Sequence, residues 1–185
     1  MKTAIEYSMP RSNEKHIYLA GPLGFSEGGN LFKEALTKKL KKHGYKVIDP
    51  FKLTPQSKFQ KISRLPTLEQ QQQAWKVLNP QIARRGQQAI DECNAVLAVL
   101  DGPDVDSGTA AEIGYAFARG KPILGYRGDF RLSSDNSGAM INLQVEFFIR
   151  KSGGQIVAHT STIPAALSRM FNREQARPSR HRKHR

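Results

Sequence analysis

The run A-V-L-A-V-L, Ala95 to Leu100, restricts the fold more than any other stretch of this chain. Six apolar residues without alternation suit a strand buried on both faces, which is the central position of a parallel sheet covered by helices. The neighbouring segments agree. His16 to Gly21 is a short apolar run ended by Gly-Pro, and after it Leu31, Phe32, Ala35, Leu36 and Leu40 fall at helical spacing with Gly44 as a stop. Tyr45 to Ile48 reads as a second strand. Phe51 to Leu78 is basic, punctuated by proline and carries a glutamine run, Gln70 to Gln73, so it reads as an inserted loop with a short helix. Asn79-Pro80 has the chemistry of a cap and first turn and predicts a helix from there toward Cys93. Thr109 to Arg119 is the next expected helix, Pro122 to Tyr126 the next strand, and Gln155 to Ala158 and Pro164 to Phe171 the last pair. Strands alternating with helices at this spacing predict an α/β fold, an open parallel sheet of about five strands with helices on both faces.

With 185 residues the chain has room for one sizeable core. A single domain over residues 1–172 and a basic tail over 173–185, expected to be disordered, is the predicted organisation. One cysteine, Cys93, leaves no intramolecular disulfide, and no C-x-x-C or H-x-x-x-H spacing suggests a metal. The expectation is a soluble, cytoplasmic protein, because no apolar run approaches the ~20 residues of a membrane span.

The formal charge of +13 is concentrated in two places. Residues 33–64 hold nine Lys and one Arg against Glu34 and Asp49, and residues 173–185 hold five Arg and one Lys against Glu174. The lysines around Leu40 read as the wet face of an amphipathic helix, and the tail as a solvated segment capable of weak nonspecific nucleic-acid contact. A dedicated nucleic-acid-binding protein is disfavoured, since no helix-turn-helix, RNA-recognition or zinc-finger pattern accompanies the charge.

In an open parallel sheet, ligands bind beyond the carboxyl ends of the strands. Two segments leave strands there: Y-L-A-G-P-L-G-F after the first, and D-V-D-S-G-T-A-A-E-I-G-Y-A, Asp104 to Ala116, after the central one. The second is the richer in chemistry. It places three carboxylates within nine residues beside Ala, Gly and Ile, and carboxylates in apolar surroundings are paired, hydrogen-bonded or used. Thr109-Ala-Ala-Glu112 also fits a capping box, in which Glu112 reaches back to a backbone N–H. Spacing alone leaves both readings open. Asp101 and Asp104 read as loop-shaping residues.

The ordered set I-Y-L-A-G-P at Ile17 to Pro22, D-x-G-T-x-x-E-x-G-x-A at Asp106 to Ala116 followed by G-K-P, and I-N-L at Ile141 to Leu143 resembles the nucleoside 2-deoxyribosyltransferase family. The resemblance covers about residues 17–149. It implies a flavodoxin-like fold, a homo-oligomer with shared active sites, and a role in nucleotide salvage. The implied reaction moves 2-deoxyribose from a 2-deoxynucleoside to a free purine or pyrimidine base, with no metal or redox cofactor. By resemblance Glu112 is the nucleophile, its place in the first helical turn favouring the ionised form. Tyr18 orients it, Asp106 serves the sugar or the departing base, and Gly21 and Gly108 border the substrate. Asn142 is donated to the sugar by a neighbouring subunit. Where some members of the family carry an acid or Asn upstream of the central strand, this chain has Gly86 or Gln87, which puts the group that protonates the leaving base in doubt. Asp91 and Glu92 lie nearby but are expected to face solvent or cap the helix. A deoxynucleoside or deoxynucleotide hydrolase would share the same first chemical half. A phosphoribosyltransferase is the weaker rival, because Asp101 is followed by Gly102-Pro103 where that motif has adjacent acids.

Overall fold

The structure, a computed structural model, describes residues 14–175. The tail expected over 173–185 lies outside them from residue 176 onward. Five strands, β1 (Lys15–Ala20), β2 (Tyr45–Ile48), β3 (Ala95–Val99), β4 (Ile123–Tyr126) and β5 (Ile156–Val157), form one sheet in the order β2-β1-β3-β4-β5. Every pairing is parallel. The sequence expectation of an open parallel sheet holds, with the A-V-L-A-V-L strand at its centre.

Alternation along the central strands feeds two cores. Tyr18, Ala20, Val96, Ala98 and Leu100 point to one face, and Ile17, Leu19, Ala95, Leu97 and Val99 to the other. The second face is covered by α1 (Glu27–Lys42) through Leu36 and Leu40, and by α6 (Ile163–Gln175) through Ile163 and Leu167. The first is covered by α3 (Leu68–Glu92), α4 (Ser107–Ala118) and α5 (Leu143–Lys151), through Ala89, Ile90, Ile113, Val145 and Ile149. Cys93 is buried in this layer, its thiol pushed up to about 11 by burial.

The segment between β2 and β3 differs from the sequence reading. It is helical almost throughout: a 3-10 turn at Pro50–Lys52, the short α2 (Gln56–Ser63), and α3, which runs 25 residues without stopping at Asn79-Pro80. The helix starts at Thr67, whose side chain accepts the Gln70 N–H at 3.2 Å, and the glutamine run lies inside it because glutamine is a good helix former. Pro80 removes one donor, and Lys76 and Pro80 are both exposed, so the cost of the missing bond falls at the solvent side of the helix. Stacking of Phe59 on Trp75, 5.8 Å between centroids, ties α2 to α3.

Among the described residues no helix is long and apolar enough to cross a membrane, and no group of three or more His, Cys, Asp or Glu is arranged to hold a metal ion.

Candidate active site

Asp106 decides how Glu112 is presented. Its carboxylate accepts both the Thr109 N–H and the Thr109 hydroxyl at 2.9 Å, which makes Asp106 the N-cap of α4 and places Thr109 inside the helix. The capping box read from Thr109 to Glu112 is therefore not formed. Glu112 is the sixth helical residue, in the second turn, so the expected help from the first-turn macrodipole falls away.

The side chain of Glu112 turns instead toward β1. Tyr18, fully buried, donates its hydroxyl to Glu112 Oε1 at 2.5 Å. Burial, followed by the charge of Glu112, pushes the phenol far above its ordinary range, so the proton stays on Tyr18. Burial pushes the Glu112 carboxyl up as well; the Tyr18 hydrogen bond pulls it back down and the nearby Asp106 charge adds to the rise. The result is a carboxylate aimed by a permanent donor and held in a site that costs it solvation.

Above this pair lies a cavity of about 790 Å³. Gly21, Asp106, Gly108 and Glu112 all line it. Gly21 turns the chain out of β1 with φ +150°, and a Cβ there would stand 3.1 Å from Val99 Cβ. The sequence candidates thus converge, with one exception. Asn142 caps α5, its Oδ1 accepting the Gln144 and Val145 N–H groups at 3.1 and 3.3 Å. Within one copy it borders a separate small pocket with Pro103, Asp104 and Ser133.

The cavity also has a wall that sequence reasoning missed. Phe25, Phe51 and Phe59 line it, Phe25 meeting Phe51 edge to face at 5.1 Å. Gly24 permits that approach, since a Cβ on it would stand 2.3 Å from the Phe51 ring. Lys33 and Lys52 line it too, and Lys33, buried, pairs with Asp49 at 3.1 Å while lying 4.9 Å from the Phe51 ring centre. These residues follow the carboxyl ends of β1 and β2, or belong to α1 and α2 beside them. Topology could have flagged the loop residues, whereas Phe59 lay in a segment read as an inserted loop with a short helix, whose place was not fixed.

The other acids around the sheet's carboxyl end and the end of α3 are engaged elsewhere. Gly86 faces the site, its absent Cβ 3.6 Å from the Tyr18 hydroxyl, and Gln87 donates to the Tyr115 hydroxyl at 3.2 Å. Asp91 accepts from that hydroxyl at 2.9 Å and from Arg119 Nε at 2.6 Å, locking α3 to α4. Asp101 accepts the Gly128 and Asp129 N–H groups, and Asp104 the Val105 N–H, so both shape loops as expected.

A conserved protein of Enterococcus faecalis V583 shares 20% identity over 84% of this chain and 98% of its own, with a TM-score of 0.61. A 2-deoxyribosyltransferase of Bacillus psychrosaccharolyticus is 20% identical over 80% of this chain and 90% of its own, TM-score 0.50. A CMP N-glycosidase of Clostridium botulinum is 20% identical over 83% of this chain and 98% of its own, TM-score 0.50. At such identities the likeness is one of fold. An uncharacterized protein of Schizosaccharomyces pombe is 40% identical over 55 residues, 28% of this chain and only 26% of its own length. The family model for nucleoside 2-deoxyribosyltransferases matches residues 17–144, a span that holds Tyr18, Asp106, Glu112 and Asn142. The chain belongs to the nucleoside 2-deoxyribosyltransferase family.

Proposed function

We propose that this protein cleaves the N-glycosidic bond of a 2-deoxynucleoside and passes the deoxyribose to a second nucleobase through a covalent Glu112 intermediate. The observation that carries this reading is the Glu112 carboxylate, half-buried at the cavity and aligned by Tyr18 at 2.5 Å. One oxygen of Glu112 bonds to the anomeric carbon while the carbon–nitrogen bond breaks, and its electron pair leaves on the base nitrogen. Oxocarbenium character in the transition state is stabilised by the two carboxylates, Glu112 and Asp106.

The departing base takes up a proton. With Gly86 or Gln87 at the position where some members of the family carry an acid or Asn, that proton comes from water. In the second half a nitrogen of the acceptor base attacks the same carbon, the ester bond to Glu112 breaks, its electrons return to the carboxylate, and the acceptor nitrogen loses its proton. Two inversions give overall retention. The aromatic wall of Phe25, Phe51 and Phe59 suits the flat face of a base. Asn142 enters this scheme only from a neighbouring copy.

Hydrolysis is the second reading. Phe25 is 79% exposed at the cavity, so water reaches the deoxyribosyl-enzyme when no base is bound. One assay separates the two. The protein, incubated with a 2-deoxynucleoside and a different free base, should yield the exchanged deoxynucleoside without added metal, and Glu112→Gln should abolish it. Free deoxyribose as the sole sugar product at every acceptor concentration would assign the chain to hydrolysis, and no reaction with any purine or pyrimidine pair would refute both.

A further inference from the structure

The buried stripe of α1 begins with a charge. Lys33, Leu36 and Leu40 fall at helical spacing and all three are buried, and Lys33 alone of the α1 lysines is. Of the three, only Lys33 lines the active-site cavity. Its ammonium meets Asp49 at 3.1 Å, the two side chains being 8% and 10% exposed. A buried ion pair loses more solvation than an apolar pair of similar volume and is no firmer as a tie between elements. Joining α1 to the chain leaving β2 therefore does not explain the charge, since Leu36 and Leu40 already pack the helix on the sheet.

Both partners of the pair act on Phe51. Asp49 Oδ1 accepts the Phe51 N–H at 3.0 Å while Oδ2 takes Lys33, so one carboxylate holds the Phe51 backbone and the ammonium together. Lys33 Nζ stands 4.9 Å from the centre of the Phe51 ring, within the range of a cation–π contact. Phe25 and the bare backbone of Gly24 meet the same ring. Strand register relates this to the nucleophile. Ile48 lies opposite Tyr18, so Asp49 is the first residue past the strand end beside the Tyr18–Glu112 pair. Its charge is felt there: behind burial and Glu112, Asp49 is among the causes that hold the Tyr18 phenol high. Phe51 is thus the part of the aromatic wall that is fixed, by backbone and by ring, relative to Glu112.

We propose that Lys33 is a positioning residue for the nucleobase: through its ion pair with Asp49 and its contact with the Phe51 ring, it sets the wall against which the base packs at a fixed place relative to Glu112. This rests on the glycosyl-transfer reading for the identity of the ligand. Lys33 acts through Phe51 rather than on the reacting atoms, and Asp49 neutralises its charge.

The test removes the charge without stranding its partner. A Lys33→Met, Asp49→Asn double variant leaves no bare charge at the buried site, and the asparagine side chain still accepts the Phe51 N–H. It is compared with the native protein, with Phe51→Leu, and with all three substitutions together, in base exchange with the acceptor base varied. Neutralising the pair should raise KM for the base about fivefold while kcat stays within about twofold, and Phe51→Leu should raise KM at least as far. Because Lys33 works through the ring, the triple variant should be no worse than Phe51→Leu alone. A double variant that melts lower but keeps the native KM would make the pair a structural tie and overturn the proposal, as would effects that multiply in the triple variant. Calorimetric titration with free adenine and free thymine separates this from the proposed reaction. If the native protein exchanges no base yet binds one of them, and the double variant binds it about fivefold more weakly, glycosyl transfer fails and the positioning role stands. Binding that the double variant retains in full overturns the role, and neither exchange nor binding overturns both.

Discussion

The role proposed for Glu112 requires an ionised carboxylate, and Glu112 sits where burial favours its neutral form. Its folded pKa is raised above the unfolded one. Its contribution to stability is therefore complete below the unfolded pKa and is lost as pH rises through the folded one. At neutral pH the charged side chain opposes folding, so Glu112→Gln should melt above the native protein at pH 7, and the gap should close as pH falls into the ordinary carboxylate range. Thermal melts across that range check the sign; a variant that melts lower at pH 7 would show that the charge helps the fold. Tyr18→Phe tests the other partner. Its hydroxyl is the group that lowers the Glu112 pKa, so the acid limb of kcat/KM should move to higher pH, and a limb that stays in place would refute the assignment. Sequence alone could not choose between cap and nucleophile for Glu112, because T-x-x-E serves both. The cap reading fails on which residue starts the helix: Asp106, three positions before Thr109, does so with a carboxylate that accepts two bonds from Thr109.

At the scale of elements, Asp106 holds two offices that substitution can separate. Asp106→Ala removes the cap of α4 and should cost about 1 kcal/mol in urea unfolding. Asp106→Asn keeps an acceptor for the Thr109 N–H and should cost far less, but it removes a negative charge beside Glu112, which should shift the acid limb of the reaction to lower pH. Equal destabilisation by both variants would mean that the charge, not the cap, supports the helix. The strands and most helices could be read from the sequence because period and punctuation agree there, as in the run Ala95 to Leu100 followed by Gly102-Pro103. The long α3 could not, because Asn79-Pro80 has the local chemistry of a helix start, and an interior proline at an exposed position of the helix breaks that rule. Phe59, on α2 in the same loosely patterned segment, was hidden with it, and so was part of the aromatic wall.

For the molecule as a whole, the proposed sharing of sites turns on Asn142, which one copy uses to cap α5. Aspartate caps as well as asparagine but lacks the amide donor, so Asn142→Asp should fold normally and lose activity if the amide reaches a neighbour's sugar. Mixed with an inactive Glu112→Ala protein, it should regain part of the turnover through hybrid sites. Full activity from a species shown to be monomeric by sedimentation would end the shared-site idea. The chemistry of single residues carries no such arrangement, and shared sites entered only through the family resemblance, because an interface is a relation between two surfaces. The burial of Cys93 has a use of its own. The only sulfhydryl of the chain is 1% exposed and, with its thiol pushed up to about 11, almost wholly protonated at neutral pH. Alkylating reagents therefore wait for α3 to lift from the sheet, and the rate of labelling becomes a clock for that opening, readable in a protein without any engineered probe.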